Sequence, residues 1–220
     1  MATAPAYPVD FEVEPQLTDR NRATCFFRLI LAIPHLILVG GPGISVGAGG
    51  RGGQGAAMYF GAIGTAGVML IVAGVMAFIS WFAIVFTGKE PRGLWDFRAN
   101  VMRWRGRSNA YISLLRDEYP PFSFEDEGYP SRVVLNDFPE VRNRMTVAFR
   151  IIFLIPHAIV LALLGIAWGL ASFIAWLAIL FTGSYPEGIY KFSTGYLRWS
   201  FRFEAYGGLL NDEFPPFSLD

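Results

Sequence analysis

One unit, written twice, governs what this chain can fold into. Tyr7-Pro8 recurs as Tyr129-Pro130, and Arg20-Asn21-Arg22 as Arg142-Asn143-Arg144. Phe27-Arg28 through Ile33-Pro34-His35 recurs as Phe149-Arg150 through Ile155-Pro156-His157, all at an offset of 122 residues. After the first apolar arm the offset becomes 95: Phe86-Thr87-Gly88 matches Phe181-Thr182-Gly183, and Arg103-Trp104 matches Arg198-Trp199. Leu114-Leu115 likewise matches Leu209-Leu210, and Pro120-Pro121-Phe122-Ser123 matches Pro215-Pro216-Phe217-Ser218. The Gly-rich stretch 40–55 and its flank account for the 27-residue difference between the two offsets. Matches this dense at two fixed offsets mark a structural repeat, here units 1–123 and 124–220.

Composition decides the solvent. The chain is 53% apolar and only 16% charged, with a mean hydropathy of +0.39, whereas soluble domains carry about 25% charge. A spanning helix needs about 20 mostly apolar residues. Segments of about 23–39 and 59–86 meet this in the first unit, and 146–164 and 166–181 in the second, with a reversal at Gly165. Seventeen of the eighteen Lys and Arg fall on one side of such a four-span arrangement, Arg51 being the exception. That bias predicts both termini in the cytoplasm.

The motifs Phe-Arg-x-x-x-x-Ile-Pro-His, Phe-Thr-Gly-x-x-Pro-x-Gly, Arg-Trp and Tyr-Pro-Pro-Phe-Ser resemble those of the bacterial membrane family called domain of unknown function 4389. The resemblance covers nearly the whole chain, twice over. It implies a protein of the bacterial plasma membrane and brings no catalytic role with it.

After each hairpin comes an Arg- and aromatic-rich stretch, about 91–115 and 186–210. Leu94, Phe97, Val101, Trp104, Tyr111 and Leu115 recur at intervals of three, four and seven, as one face of a helix does. Pro91 and Pro186 suit a first helical turn. Trp, Tyr and Arg favour the headgroup level of a membrane. Arg92, Arg98, Arg103, Trp104, Arg105, Arg107, Arg198, Trp199 and Arg202 are therefore the candidate contacts to anionic lipid, on helices lying flat at the surface. Val9, Phe11 and Val13, and Val133 and Leu135, alternate like short strands. Phe217–Leu219 would meet Val9–Val13, and Phe122–Phe124 would meet Tyr129–Leu135. The expected fold class is thus an all-α membrane protein. It has four transmembrane helices as two tandem hairpins, each followed by an interfacial amphipathic helix, with short cytoplasmic β segments.

Arg28 and His35, seven apart, share a helix face, and Arg150 and His157 repeat the arrangement. Ionisable groups within apolar helices are functional candidates by default. Structurally, the arginines can snorkel or pair with an acid, and the histidines can bond carbonyls freed by Pro34 and Pro156. Functionally, His35 and His157 could line an ion path. Gly61, Gly64, Gly67, Gly74, Ala66, Ala73 and Ala77 give one helix a small-residue face suited to close helix contact.

Cys25 stands alone, so no intrachain disulfide is possible. Two histidines without Cys, Asp or Glu neighbours make a poor metal site. The Gly-rich loop lacks the strand–loop–helix setting of a phosphate cradle, so neither metal nor cofactor is expected. A net charge of zero argues against a nucleic-acid partner. The leading expectation is a non-enzymatic accessory or scaffold subunit of a membrane complex, with membrane lipids and a membrane protein or a second copy as partners. A small transporter or channel component using the Pro-His pairs is the alternative.

Overall fold

The computed structural model describes residues 7–43, 67–125, 128–139 and 142–220. In chain order these form β1 (Val9–Val13), α1 (Arg22–Val39), α2 (Val68–Thr87), α3 (Arg92–Ile112), β2 (Ser131–Leu135), α4 (Arg144–Thr182) and α5 (Glu187–Gly207). The expectations on 44–66, including Arg51, most of the Gly-rich loop, Gly61, Gly64 and Ala66, lie outside the described residues.

The duplicated motifs are duplicated helix ends. Asn21 caps α1 by accepting from Thr24 N, and Asn143 caps α4 by accepting from Met145 N and Thr146 N. Each side chain thereby satisfies amides that have no partner within the helix. Gly88 and Gly183 end α2 and α4 in the left-handed region, at φ 75° and 73°, where glycine pays no Cβ penalty. Pro91 and Pro186 stand immediately before α3 and α5.

The hairpins do not form. α4 runs 39 residues without interruption, straight through Gly165, about 58 Å at 1.5 Å per residue. One glycine costs a helix only about 1 kcal/mol, and neither a capping residue nor a proline follows it, so nothing local forces a reversal. The first unit is arranged alike. Trp81 Nε1 on α2 donates to Val147 O at 3.0 Å, and its repeat counterpart Trp176 Nε1 on α4 donates to Cys25 O at 3.2 Å. Val147 and Trp176 lie 29 positions apart on one helix, about 43 Å. The start of α1 and the end of α2 are separated accordingly, so α1 and α2 run end to end beside α4. They meet at Gly67, where a Cβ would fall 2.4 Å from Gly40 N; only glycine fits that junction.

A pseudo-two-fold axis relates the two units. β1 pairs antiparallel with β2 in the register Val9↔Leu135, Phe11↔Val133 and Val13↔Ser131. Phe11 and Val133 are repeat equivalents, so the axis passes through that pair. The strand expectation is corrected in its pairing: the head of one unit meets the head of the other, not the tail of its neighbour. The same axis exchanges the antiparallel α1–α2 line with α4, so it stands normal to the plane they form.

α3 and α5 occupy the middle layer. Trp104, Ser108 and Tyr111 face α1, through His35 and Arg28. Gly106, half a helix turn away, faces β2, where a Cβ would come 2.4 Å from Val133 Cγ2. Phe201 of α5 likewise packs on Phe11 of β1, ring centroids 5.3 Å apart. Thirteen of the 21 residues in each of α3 and α5 are buried, so they are core helices and not flat surface ones. The apolar stripe read from the sequence was real, but both of its flanks are covered. The outer faces of α1, α2 and α4 expose Phe27, Ile30, Ile71, Phe78, Ile152, Ile166 and Phe173. These three helices are long and apolar enough to cross a membrane.

Candidate functional site

Each unit builds an acidic anchor. Asp117 accepts from Arg20 Nη2 at 2.7 Å, Arg28 Nη2 at 2.5 Å and Asn21 N at 2.8 Å. Asp212 accepts from Arg150 Nη2 at 2.6 Å and lies 3.2 Å from Arg142 Nη2. The Arg28 guanidinium lies 4.4 Å from the Tyr111 ring centre, and Arg150 lies 4.3 Å from that of Tyr206. Burial by itself would raise the Asp117 pKa. Hydrogen bonds from Arg20 and the Asn21 amide, with the charges of Arg20 and Arg28, outweigh that and hold it below the usual carboxylate range.

The arginines also bind carbonyls where α3 and α5 end. Arg28 donates to Tyr111 O at 2.8 Å and Arg150 to Tyr206 O at 2.7 Å. Arg20 donates to Leu114 O at 2.6 Å and Arg142 to Leu209 O at 2.8 Å. Leu114 and Leu209 have φ of 63° and 62°, a left-handed backbone that a leucine adopts only when its surroundings impose it. The repeated Leu-Leu motif is therefore a strained helix stop that turns its carbonyl toward an arginine, and a helix C-terminus favours a cation.

The histidines lie in separate clusters, one per unit. His35 accepts at Nδ1 from Trp104 Nε1 at 3.2 Å, which places its own proton on Nε2, 3.1 Å from Pro120 O. Phe122 stacks on its ring at 4.2 Å. His157 accepts at Nδ1 from Trp199 Nε1 at 3.1 Å and is stacked by Phe217 at 3.8 Å. Both clusters draw only on their own unit. For His35 the partners come from α3 and the Pro-Pro-Phe-Ser tail, and the carbonyl expected from its own helix plays no part.

The candidate headgroup contacts mostly turn inward. Arg98 donates to Glu90 and Gly208 O, Arg105 to Glu204 on α5, Arg107 to Ser123 O, and Arg202 to Asp220 O. These four are buried, as are Trp104 and Trp199, which serve the histidines. Each acid arrives from a part of the sequence that helix periodicity does not connect with the arginine. Arg103 and Arg198 are half-buried, Arg198 pairing with Asp10 at 2.6 Å. Arg92 is 76% exposed.

Sequence reading passed over Asp117, Asp212, Glu90 and Glu204. The first two were detectable, because Leu-Leu-x-Asp-Glu-x-Pro-Pro-Phe-Ser carries its Asp in both units. Glu90 and Glu204 have no acidic counterpart, so repetition could not single them out. A cavity of about 540 Å³ between α2, α3, α4 and α5 was equally invisible. Ala73, Gly74 and Ala77, expected to bring helices into close contact, line it instead.

Fold and anchors together define a class: a duplicated helical membrane protein whose two units are locked by Arg–Asp–Tyr and His–Trp–Phe clusters. The family model described as Domain of unknown function (DUF4389) matches residues 59–123 and 144–218. The chain belongs to that family, in two tandem copies. No curated protein and no solved structure matches it.

Proposed function

We propose that this chain is a non-enzymatic accessory or scaffold protein of the bacterial plasma membrane, embedded in the plane of the cytoplasmic leaflet. The observation that carries the embedding is the position of the pseudo-two-fold axis. It runs normal to the α1–α2 and α4 lines and through β1 and β2, whose Glu12–Arg132 ion pair at 2.7 Å is half exposed. Were the long helices upright, that charged sheet would lie at mid-bilayer depth, where each charge costs several kcal/mol. The 39-residue α4 would also overrun a hydrocarbon core of about 30 Å nearly twofold.

Laid flat, the apolar layer is one helix deep and meets the acyl–headgroup boundary, as in-plane helices do over about 5–10 Å. The middle layer and the sheet then stand in water. Since nothing crosses the bilayer in this arrangement, both termini stay in the cytoplasm. Contact with anionic headgroups is left to rim cations such as Arg92. Partner proteins dock on the water-facing side, and the buried ion pairs keep that frame rigid.

Nitroxide labels at Ile30, Ile37, Ile152 and Ile166, two near the ends and two near the centre of the long helices and all exposed, read for depth in anionic vesicles, test the embedding. All four are expected at one shallow depth. A set graded from interface to midplane would refute it in favour of spanning helices. Purification in mild detergent tests the scaffold reading, with stoichiometric partner proteins expected and isolation as a lone chain counting against it.

A further inference from the structure

The two units differ in volume at one pair of equivalent places. In the second unit, Trp168 of α4 stacks on Tyr196 of α5, ring centroids 5.1 Å apart, and both are buried. Their counterparts in the first unit are Ala73 of α2 and Val101 of α3. The space vacated by the indole and phenol belongs to the 540 Å³ cavity, lined by Ala73, Ala77, Val101, Met102, Leu154 and Ile155 among others. Ligand sites have volumes of about 300–1,000 Å³, mostly apolar walls and few polar groups.

Its polar floor is already committed. Arg98 is bound by Glu90, Leu94 O and Gly208 O, and Arg105 by Glu204, Gly41 O and Gly43 O. Little is left there for a charged ligand. The mouth lies between α2 and α4, where the lining residues Phe78, Ile151 and Ile155 are 63%, 73% and 53% exposed. Those side chains belong to the same apolar face that the long helices present outward, so whatever enters comes from that face.

We propose that this cavity takes one hydrocarbon chain of a membrane lipid, inserted between α2 and α4 from that apolar face. The chain occupies the place that Trp168 and Tyr196 fill in the other unit. Chain and site are matched by shape and apolarity, with no bond made or broken. The inference holds whether the protein lies in the plane or spans, and its test needs no bilayer.

The test uses the full chain in mild detergent, with cis-parinaric acid as fluorescent probe and mass spectrometry of carried lipid. One probe per chain is expected. Ala73→Trp with Val101→Tyr, which copies the second unit into the first, is expected to weaken binding about tenfold or more by filling the site. Trp168→Ala with Tyr196→Val should open a matching cavity and raise the stoichiometry to two. Competition by palmitate, phosphatidylglycerol and farnesol separates a free fatty acid, a phospholipid tail and an isoprenyl chain. Absence of probe binding by the unaltered chain, or equal binding by the filled variant, would overturn the proposal. Should the filled variant fail to fold, Ala73→Leu provides a milder fill, and undiminished binding by it together with unchanged stoichiometry in the opened variant has the same force.

Discussion

The first and second units share a frame and differ at its joints. Arg–Asp–Tyr anchors, His–Trp–Phe clusters, Asn caps and left-handed Leu stops occur in both. Yet Glu90 and Arg98, an ion pair in the first unit, have Tyr185 and Ser193 as counterparts, joined by a neutral hydrogen bond of 3.1 Å. Arg105 on α3 pairs with Glu204 on α5, while the symmetry-related positions are Ser200 and Asn109. At Arg98 and Arg105 the first unit's central helix carries charge where the second's carries Ser193 and Ser200, and at Glu204 the reverse holds, with Asn109 as its counterpart. Shared parts hold the fold, and the divergent ones, with the cavity beside them, give the molecule a distinct half.

The comparison breaks most readily at the anchors. Asp117→Ala strands Arg20 and Arg28 and is expected to cost about 3–5 kcal/mol, as loss of one buried partner does. Asp212→Ala should cost less, because the Asp212 side chain is 23% exposed against 12% for Asp117. Thermal unfolding in detergent measures both, and equal losses would make the anchors interchangeable. The same carboxylate sets a pH response. With the folded pKa of Asp117 held below its unfolded value, its contribution is present above the unfolded value of about 4 and is lost as pH falls through the folded one. Acid titration of stability should therefore flatten in Asp117→Asn.

The joints follow. Glu90→Gln leaves Arg98 and Arg142 without their buried carboxylate and should destabilise by about 3 kcal/mol. Tyr185→Phe removes one neutral hydrogen bond, worth about 1 kcal/mol. The double replacement Glu90→Tyr with Arg98→Ser, which writes the second unit's solution into the first, is expected to lie closer to the parent than Glu90→Gln alone. Denaturant midpoints order the three.

The smallest expected effect is at the histidines. Trp104→Phe and Trp199→Phe each remove one donor to a ring nitrogen, about 1 kcal/mol, with the larger loss at Trp199, because Ser108 Oγ still reaches His35 Nδ1 at 3.1 Å while its counterpart is Phe203. Equal losses would show that Ser108 does not stand in for the missing indole.

By itself the sequence determined the duplication, the apolar segments, and the alternating runs at Val9–Val13 and Val133–Leu135. Each is written in adjacent residues or in a fixed offset, and periodicity and alternation act over a turn or two of chain. Tertiary structure decided that α4 passes through Gly165, that α1 and α2 lie end to end, and that α3 and α5 are interior. An apolar helix carries no local instruction to turn back, and a stripe of Leu, Trp and Tyr shows that a face will be covered without showing by what. Arg105 reads as a lipid contact in the sequence because Glu204, 99 positions away, reaches it only through the fold. A guanidinium is buried once such a carboxylate meets it, and that meeting depends on three-dimensional proximity.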